Sequence, residues 1–273
     1  MHKDHSNKSA MSFQALLLYT YALLAFEGNR IGGYNGDMRL RYIYPSSIYC
    51  ICCGKIIDES RTYGLCDTCV RDIPWANERT CEKCGKVLQG NWHNAKCADC
   101  LTRKHFFDRG YTVMEYGLHA RAIISSYKFK EKNYLADHIA SAMADRMRLV
   151  SQKFDYIVPV PTDIAAQRER GFDHTLLLGK RLSKELDIPL KLALGRKKTL
   201  YAQKKLDPIG REENIRGAFT LEESIKAEAV LLIDDVYTTG ATADECAKVL
   251  KEGGAKRVDV LSFASGGNRH IVN

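Results

Sequence analysis

The sequence predicts an α/β protein whose main domain has a doubly wound, mostly parallel sheet, preceded by a small cysteine-rich module. Three observations lead to this fold class. Eight of the ten cysteines form two copies of one spacing pattern, strand-like segments alternate with amphipathic helices after residue 104, and one apolar strand runs into two adjacent aspartates. Alternation of strands and helices is typical of a parallel sheet covered by helices.

Length and charge set the limits within which the motifs are interpreted. The 273 residues have room for one or two domains, and the formal net charge of +8 favours an anionic partner such as a phosphate or a nucleic acid. We divide the chain into an N-terminal extension (1–44), a zinc-binding cysteine module (45–104) and an α/β domain (105–273).

The N-terminal extension contains one uncharged apolar run of 14 residues, at positions 13–26. A bilayer span needs about 20 such residues, and the flanking residues do not match an export signal. We therefore expect no stable membrane insertion. Two interpretations stay open, a short buried or surface-lying helix and a translation start at Met38.

The cysteine module follows, with the spacing C-x2-C-x12-C-x2-C repeated once. The first quartet is Cys50, Cys53, Cys66 and Cys69, and the second quartet, 31 residues later, is Cys81, Cys84, Cys97 and Cys100. Zinc takes four thiolates in a tetrahedron, so the pattern predicts about two zinc ions, held by separate or by interleaved quartets. The alternative, a disulfide framework, is typical of small secreted domains, whereas free thiolates indicate the reducing cytoplasm.

The α/β domain is predicted from hydrophobic periodicity. Strands are expected at residues 108–116, 155–160, 229–233 and 258–263, and helices at residues 119–128 and 135–148. Two further helices start at Asp173 and Thr242. Cys246 lies on the apolar stripe of the last helix, which indicates packing rather than chemistry.

The most informative segment is the signature segment, residues 230–242, VLLIDDVYTTGAT. Its candidate ligand-binding residues are Asp234, Asp235, Thr238, Thr239, Gly240, Ala241 and Thr242. Ligands of open parallel sheets bind beyond the carboxyl ends of strands, and a helix N-terminus attracts phosphate. Residues 238–242, which we name the phosphate loop, fit a phosphate, and the two carboxylates suit sugar hydroxyls or a divalent cation.

The signature segment resembles the phosphoribosyl pyrophosphate (PRPP) signature of type I phosphoribosyltransferases. That resemblance implies that the two aspartates contact the ribose hydroxyls, that the phosphate loop binds the 5′-phosphate, and that Mg²⁺ accompanies PRPP. Together with the quartets, the segments DIPW (72–75), VPVP (158–161), ERGF (169–172) and N-x2-GAF (214–219) resemble the competence protein F (ComF) family over roughly residues 44–264. The family implies a zinc module fused to a phosphoribosyltransferase-like domain and an association with natural DNA uptake.

The chain departs from the family pattern next to ERGF. Asp173 and His174 stand where Asn-Gln is common, and Ala165 and Ala166 stand where a basic residue often occurs. The residues that the resemblance assigns to pyrophosphate are Arg168, Arg170, Lys197 and Lys198. The last two belong to the basic loop, residues 191–216. This loop is expected to close over pyrophosphate, or to bind a DNA backbone with Tyr201 or Phe219 stacking on a base. The third interpretation is a solvated charged loop.

Three classes of function follow from the motifs and the resemblance. The first is a protein of competence and DNA uptake that binds PRPP and single-stranded DNA, and this is the role we expect. The second is an active phosphoribosyltransferase, amidophosphoribosyltransferase-like or directed at a nucleobase, for which the sequence identifies no catalytic residue. The third is a zinc-dependent module that docks on a competence helicase or translocase.

Overall fold

The computed structural model describes residues 48–58, 60–90, 92–128, 132–197 and 215–266. The predictions for residues 13–26 and for Met38 lie outside these residues, as do Lys198, Tyr201, Lys204 and Lys205 of the basic loop. Among the helices of the described ranges, none is both long enough and apolar enough to cross a membrane.

The cysteine module repeats in structure as it does in sequence. In each half a single antiparallel bridge, Tyr49 with Ile56 and Thr80 with Val87, forms around the first cysteine pair. A short helix then begins directly after the third cysteine of each quartet: α1 (Asp67–Asp72) and α2 (Ala98–Thr102). Helices of five or six residues are not stable alone, so their positions depend on what holds their cysteines.

The α/β domain contains a four-stranded sheet in which every neighbouring pair is parallel. Its strands are β1 (Arg109–Glu115), β2 (Tyr156–Pro159), β5 (Ala227–Tyr237) and β6 (Ala255–Ser265), in the order β1-β6-β5-β2. Residues 229–233 of β5 are buried on both faces, as the continuous apolar run predicts for a central parallel strand. The predicted fold class is confirmed.

Helices connect these strands. They are α3 (Leu118–Tyr127), α4 (Leu135–Arg148), α5 (Ile164–Arg170), α6 (His174–Leu186) and α7 (Ala241–Glu252). Asp173 caps α6 by accepting a hydrogen bond from the backbone N of Leu176 at 3.0 Å, so the predicted helix start is confirmed. Cys246 is buried on the inner face of α7, where packing was predicted.

Three features differ from the sequence prediction. β5 continues four residues past Ile233, so that Asp234 and Asp235 lie within the strand, because the ladder with β6 extends to the pair Tyr237–Ser265. The helix α5 was not predicted, and neither was the antiparallel pair β3 (Leu194–Arg196) and β4 (Phe219–Leu221). Three-residue strands and a helix without buried residues leave no periodic signal in the sequence.

The cysteine module and the α/β domain share their hydrophobic cores. Cys50, Cys66 and Cys69 of the first quartet lie in one cluster with residues of α4 such as Ile139, and the whole second quartet lies in another cluster with Phe107 and Leu250. The low apolar content of the module in the sequence predicts that metal takes the place of a hydrophobic core there, and the shared clusters correct that prediction. Leu65, Ile73 and Leu88 of the module are themselves buried, and they add apolar packing to the metal sites.

Candidate functional site

The two aspartates of the signature segment lie at the carboxyl end of β5, with β6 on one side and β2 on the other. Asp234 is partly exposed and Asp235 is buried. Successive side chains of a strand point to opposite faces, so the two carboxylates have different surroundings although they are adjacent in sequence.

Asp235 is held by two basic side chains. Nζ of Lys128, the residue after α3, forms an ion pair with Oδ2 of Asp235, and Nε2 of His174 lies 3.7 Å from Oδ1. Burial by itself would raise the pKa of Asp235, but His174 and the ammonium of Lys128 outweigh it and hold that pKa below its usual range. Asp235 is therefore a stable anion in the core of the site.

Asp234 has the opposite tendency. Burial and the neighbouring charge of Asp235 raise the pKa of Asp234 well above its usual value, although the backbone N of Asp235 donates to Oδ1 of Asp234 at 2.8 Å. A cation bound beside a carboxyl group with a raised pKa favours its ionised form. The pair therefore combines one carboxyl group whose pKa is lowered with one whose pKa is raised.

The imidazole of His174 also contacts Arg170. Nη1 of Arg170 lies 3.1 Å from Nδ1 of His174. Since a guanidinium only donates hydrogen bonds, Nδ1 accepts in this contact, and Nε2 faces Asp235. Arg170 is thereby connected to the signature segment, whereas Arg168 lies exposed on α5.

The phosphate loop has the geometry of an anion cradle. Gly240 is the N-cap of α7 and has φ = 87°, and a Cβ atom built there would lie 2.3 Å from Oη of Tyr237. The first backbone N–H groups of a helix have no partner within the helix and carry a partial positive charge. Thr238 and Thr239 are exposed beside them.

A small cavity joins the loop to the strand end. Of the predicted site residues, Asp234, Thr238, Gly240 and Thr242 line it. Val160, which follows β2, and Val260 of β6 close its apolar side. The structure thus brings one carboxylate and three residues of the phosphate loop around one space. Asp235, Thr239 and Ala241 are neighbours of the cavity in the chain and do not line it.

The predicted basic residues lie on different elements of the fold, Arg168 and Arg170 on α5 and Lys197 after β3. Lys197 is exposed directly after β3, and Arg196 before it contacts the backbone O of Pro161 at 3.5 Å. Phe219 is buried in β4, 3% exposed, with the guanidinium of Arg196 over its ring. The prediction that Phe219 stacks on a nucleic-acid base is therefore wrong, because a ring that stacks on a base needs at least one face exposed to solvent.

The cysteines form two separate clusters, which decides between the two arrangements that the spacing allowed. Within each quartet the four Sγ atoms lie within 4.8 Å of one another. The Sγ atoms of Cys53 and Cys66 are 3.7 Å apart, and those of Cys84 and Cys97 are 3.6 Å apart. Tetrahedral zinc with bonds of about 2.3 Å requires about 3.8 Å between sulfurs, so both sites fit the ion.

Hydrogen bonds to sulfur add to this fit. The backbone N of Cys66 donates to Sγ of Cys50 at 3.4 Å, and the equivalent bond from Cys97 to Cys81 is 3.2 Å. N–H donors of this kind stabilise thiolates as metal ligands. All ten cysteines lie in the described ranges and none is in a disulfide, which removes the alternative of a disulfide framework.

Sequence reasoning missed Lys128 and His174 as site residues. Lys128 follows an amphipathic helix 107 residues before Asp235, and nothing in its local pattern separates it from the other exposed lysines. His174 was recognised only as a departure from the family pattern. Contacts between residues so distant in sequence become visible only when α3 and α6 pack beside the carboxyl end of β5.

Two domain families match different parts of the chain. A double zinc ribbon domain matches residues 39–101, and a phosphoribosyl transferase domain matches residues 129–271. Competence protein F of Haemophilus influenzae is 30% identical over 213 residues, which are 74% of this chain and 90% of the relative. DNA utilization protein YhgH of Escherichia coli K12 is 28% identical over 204 residues, 72% of this chain and 88% of the relative.

One solved structure with a similar fold is purine phosphoribosyltransferase from Pyrococcus horikoshii. It is 25% identical, and the superposition covers 48% of this chain and 73% of that chain with a TM-score of 0.32. The fold assignment rests on the parallel sheet and the matched domains.

Proposed function

The chain belongs to the competence protein F family, and from that membership and the geometry of β5 we propose that it binds PRPP with Mg²⁺ at the signature segment. The observation that carries the proposal is the junction of Asp234, Asp235 and the phosphate loop at the carboxyl end of one central strand. In this assignment residues 45–104 form the zinc-binding domain and residues 105–273 form the PRPP-binding domain.

Each part of PRPP has a matching group in this arrangement. The backbone N–H groups at the start of α7, with the hydroxyls of Thr238, Thr239 and Thr242, receive the 5′-phosphate. Asp234, which lines the cavity, accepts hydrogen bonds from the ribose hydroxyls, and Asp235, which does not line it, is the second predicted acceptor. Arg170 on one side and Lys197 on the other neutralise pyrophosphate, with Lys198 and Arg168 as the further predicted cations.

Charge balance explains why the aspartates tolerate so anionic a ligand. Asp235 is already neutralised by Lys128, so it adds little repulsion, and Mg²⁺ beside Asp234 would favour the ionised form of that carboxyl group, whose pKa is raised. The magnesium ion supplies the positive charge that a carboxylate and a pyrophosphate group require when they share one pocket.

The experiment is titration calorimetry of the zinc-loaded protein with PRPP in the presence and absence of Mg²⁺. The double substitution Asp234→Asn and Asp235→Asn should weaken binding by at least about tenfold, since hydrogen bonds to charged groups are worth about 1.5–3 kcal/mol. Glu228→Gln is the matched control, because it removes an exposed carboxylate from the opposite end of the same strand. Equal affinity of the double variant and the wild type would refute the proposal.

Catalysis is the alternative use of the same site. In a phosphoribosyl transfer an amine or nucleobase nitrogen forms a bond to the anomeric carbon of PRPP while the bond to pyrophosphate breaks. Pyrophosphate leaves as an anion, which Mg²⁺ would stabilise, and the nitrogen gives up a proton to solvent. Release of pyrophosphate that requires an added acceptor would distinguish an enzyme from a protein that only binds PRPP.

Single-stranded DNA is the second ligand that we propose. The relatives are named for competence and for DNA utilization, and the chain carries a net charge of +8. The exposed Lys197 begins the most lysine-rich part of the basic loop, where a phosphate backbone can be neutralised. Binding of PRPP and of single-stranded DNA fits a role in DNA uptake in the reducing cytoplasm, where zinc thiolates persist. Docking of the zinc domain on a competence helicase or translocase is the remaining alternative.

A further inference from the structure

The two cysteine quartets have identical spacing but different neighbours. Beside the first quartet, Oη of Tyr63 donates to Oδ2 of Asp145 on α4 at 2.7 Å, which places this half of the module on the α4 side of the sheet. The second quartet lies in one core cluster with Tyr237, Ala243 and Cys246 of the signature segment and α7. Only the second quartet therefore packs next to the phosphate loop.

The chain that leaves the second quartet contacts the loop and the first turn of α7. Nδ1 of His105 lies 2.7 Å from Oδ2 of Asp244, and the backbone N of Phe106 donates to Oδ1 of the same carboxylate at 2.8 Å. Nη1 of Arg103 donates to the backbone O of Thr239 at 3.3 Å. Three hydrogen bonds thus join residues 103–106 to residues 239–244.

Aromatic packing connects the same two parts. The ring of His105 stacks on Phe107 with 4.7 Å between centroids, and Phe107 meets the ring of Tyr237 edge-on at 6.0 Å. Oη of Tyr237 in turn lies against Gly240, where it fills the space that a Cβ would need. The side chain of His105 is completely buried, so this packing is part of the core.

The position of His105 is also tied to the metal site, because only a short segment of chain separates His105 from the last cysteine of the quartet. His105 is five residues beyond Cys100, and the connection is the end of α2, a helix of five residues. Such a helix is unstable unless its ends are anchored, and here Cys97 precedes it and Cys100 lies within it. Release of the metal would free Cys97 and Cys100 and with them the support of His105.

We propose that the second quartet, acting through His105 as a positioning residue, holds the phosphate loop in its binding geometry, and that the first quartet has no such role. This inference rests on the proposed binding of PRPP. Coupling between two sites is reciprocal, so bound PRPP must in return hold zinc in the second quartet more tightly. The zinc affinity of the second quartet would then rise when PRPP binds, and that of the first quartet would not.

The first test compares equivalent cysteines of the two quartets. Cys97→Ser and Cys66→Ser each remove the third ligand of one site, and zinc content and PRPP affinity are measured for both. We expect each variant to lose one zinc ion. Only Cys97→Ser should lose PRPP affinity, by about tenfold, which lies within the usual range for coupled sites. Equal affinities in the two variants would overturn the inference.

The second test leaves both metal sites intact, so it decides the question even where a cysteine variant does not fold. His105→Ala removes the bond to Asp244 and should weaken PRPP binding by about tenfold, the midrange of such couplings, with two zinc ions retained. His105→Asn restores a donor at the place of Nδ1 and should recover most of the affinity. Wild-type affinity in His105→Ala, or no recovery in His105→Asn, would contradict a positioning role.

Two further readouts separate this inference from the proposal of PRPP binding. Amide hydrogen exchange of residues 239–244 should accelerate in His105→Ala without any ligand, and unchanged exchange would overturn the inference even if PRPP binds. A chromophoric chelator should remove one of the two zinc ions more slowly when Mg²⁺ and PRPP are present. If the wild type binds no PRPP, the proposed function fails, and the exchange experiment still decides whether His105 orders the loop.

Discussion

His174 places Nε2 3.7 Å from Oδ1 of Asp235, the buried carboxylate near the end of β5. Lys128 holds the other oxygen of the same carboxylate. The two contacts keep Asp235 ionised, so the proton that the aspartate pair can exchange belongs to Asp234. The site therefore has one carboxyl group whose charge depends on the ligand.

This asymmetry predicts that binding of Mg²⁺ and PRPP releases a proton. The pKa of Asp234 is raised above its usual 3.8, so the free site keeps a proton at pH values where an ordinary aspartate has lost it. The complex favours the ionised form, so affinity should rise with pH by at most about tenfold per unit between 3.8 and the raised pKa, and fall as the pH falls.

Titration calorimetry in two buffers of different ionisation enthalpy measures this release. Asp234→Asn cannot release a proton and is the control. Identical binding enthalpies of the wild type in both buffers would show that Asp234 does not change its charge on binding.

The tight contact at Gly240 predicts a large cost for a single methyl group. Gly240→Ala combines a left-handed backbone, φ = 87°, with a clash against the buried Tyr237 and should lower the free energy of unfolding by about 3 kcal/mol. Gly217 also has positive φ, 68°, but nothing lies within 4 Å of its added Cβ, so Gly217→Ala should cost about 1 kcal/mol.

Urea denaturation of the Gly240→Ala and Gly217→Ala variants measures both losses of unfolding free energy. In a Tyr237→Phe background the extra cost of Gly240→Ala should shrink, because the closest clashing atom is Oη. An equal loss of stability in the two alanine variants would mean that the loop moves aside at no cost.

Cys52, which lies between Cys50 and Cys53, predicts that equivalent cysteine substitutions in the two quartets change the zinc content differently. Cys52 precedes Cys53 and its thiol interacts with Cys69, whereas Lys83 occupies the equivalent position before Cys84. Cys84→Ser should therefore lose about one zinc ion per chain, and Cys53→Ser should retain part of it because Cys52 can replace the missing ligand. Elemental analysis checks both, and full loss in Cys53→Ser would exclude the replacement.

The DNA proposal predicts a steep dependence on salt. Each phosphate neutralised on a single strand contributes about 0.7 to the slope of log K against log salt concentration. Replacement of Lys197, Lys198, Lys204 and Lys205 by Ala should flatten that slope and leave the zinc content unchanged, and PRPP should compete with DNA if the basic loop binds both ligands.

The control for this experiment removes the same charge elsewhere, at the exposed Lys180, Lys184, Lys226 and Lys256. DNA binding that is indifferent to the loop lysines but lost with the cysteine quartets would move the interface to residues 50–100. Absence of binding at low salt would leave PRPP binding, catalysis or docking as the function.

Local patterns determined much of this protein. Four thiols at metal-binding spacing, an apolar run that ends in Asp234 and Asp235, and the Asp173 cap are each contained within a few consecutive residues, because metal chelation, strand burial and helix capping are short-range effects. The quartets, the central strand and the start of α6 could therefore be predicted from the sequence.

Only the tertiary structure decided how these parts meet. It separated the quartets, buried Phe219 in a short antiparallel strand pair, and brought Lys128 and His174 to Asp235 and His105 to Asp244 from distant parts of the chain. Such contacts arise when helices pack on a sheet to bury their apolar faces, and the polar side chains at the edges are carried to partners that no local pattern specifies.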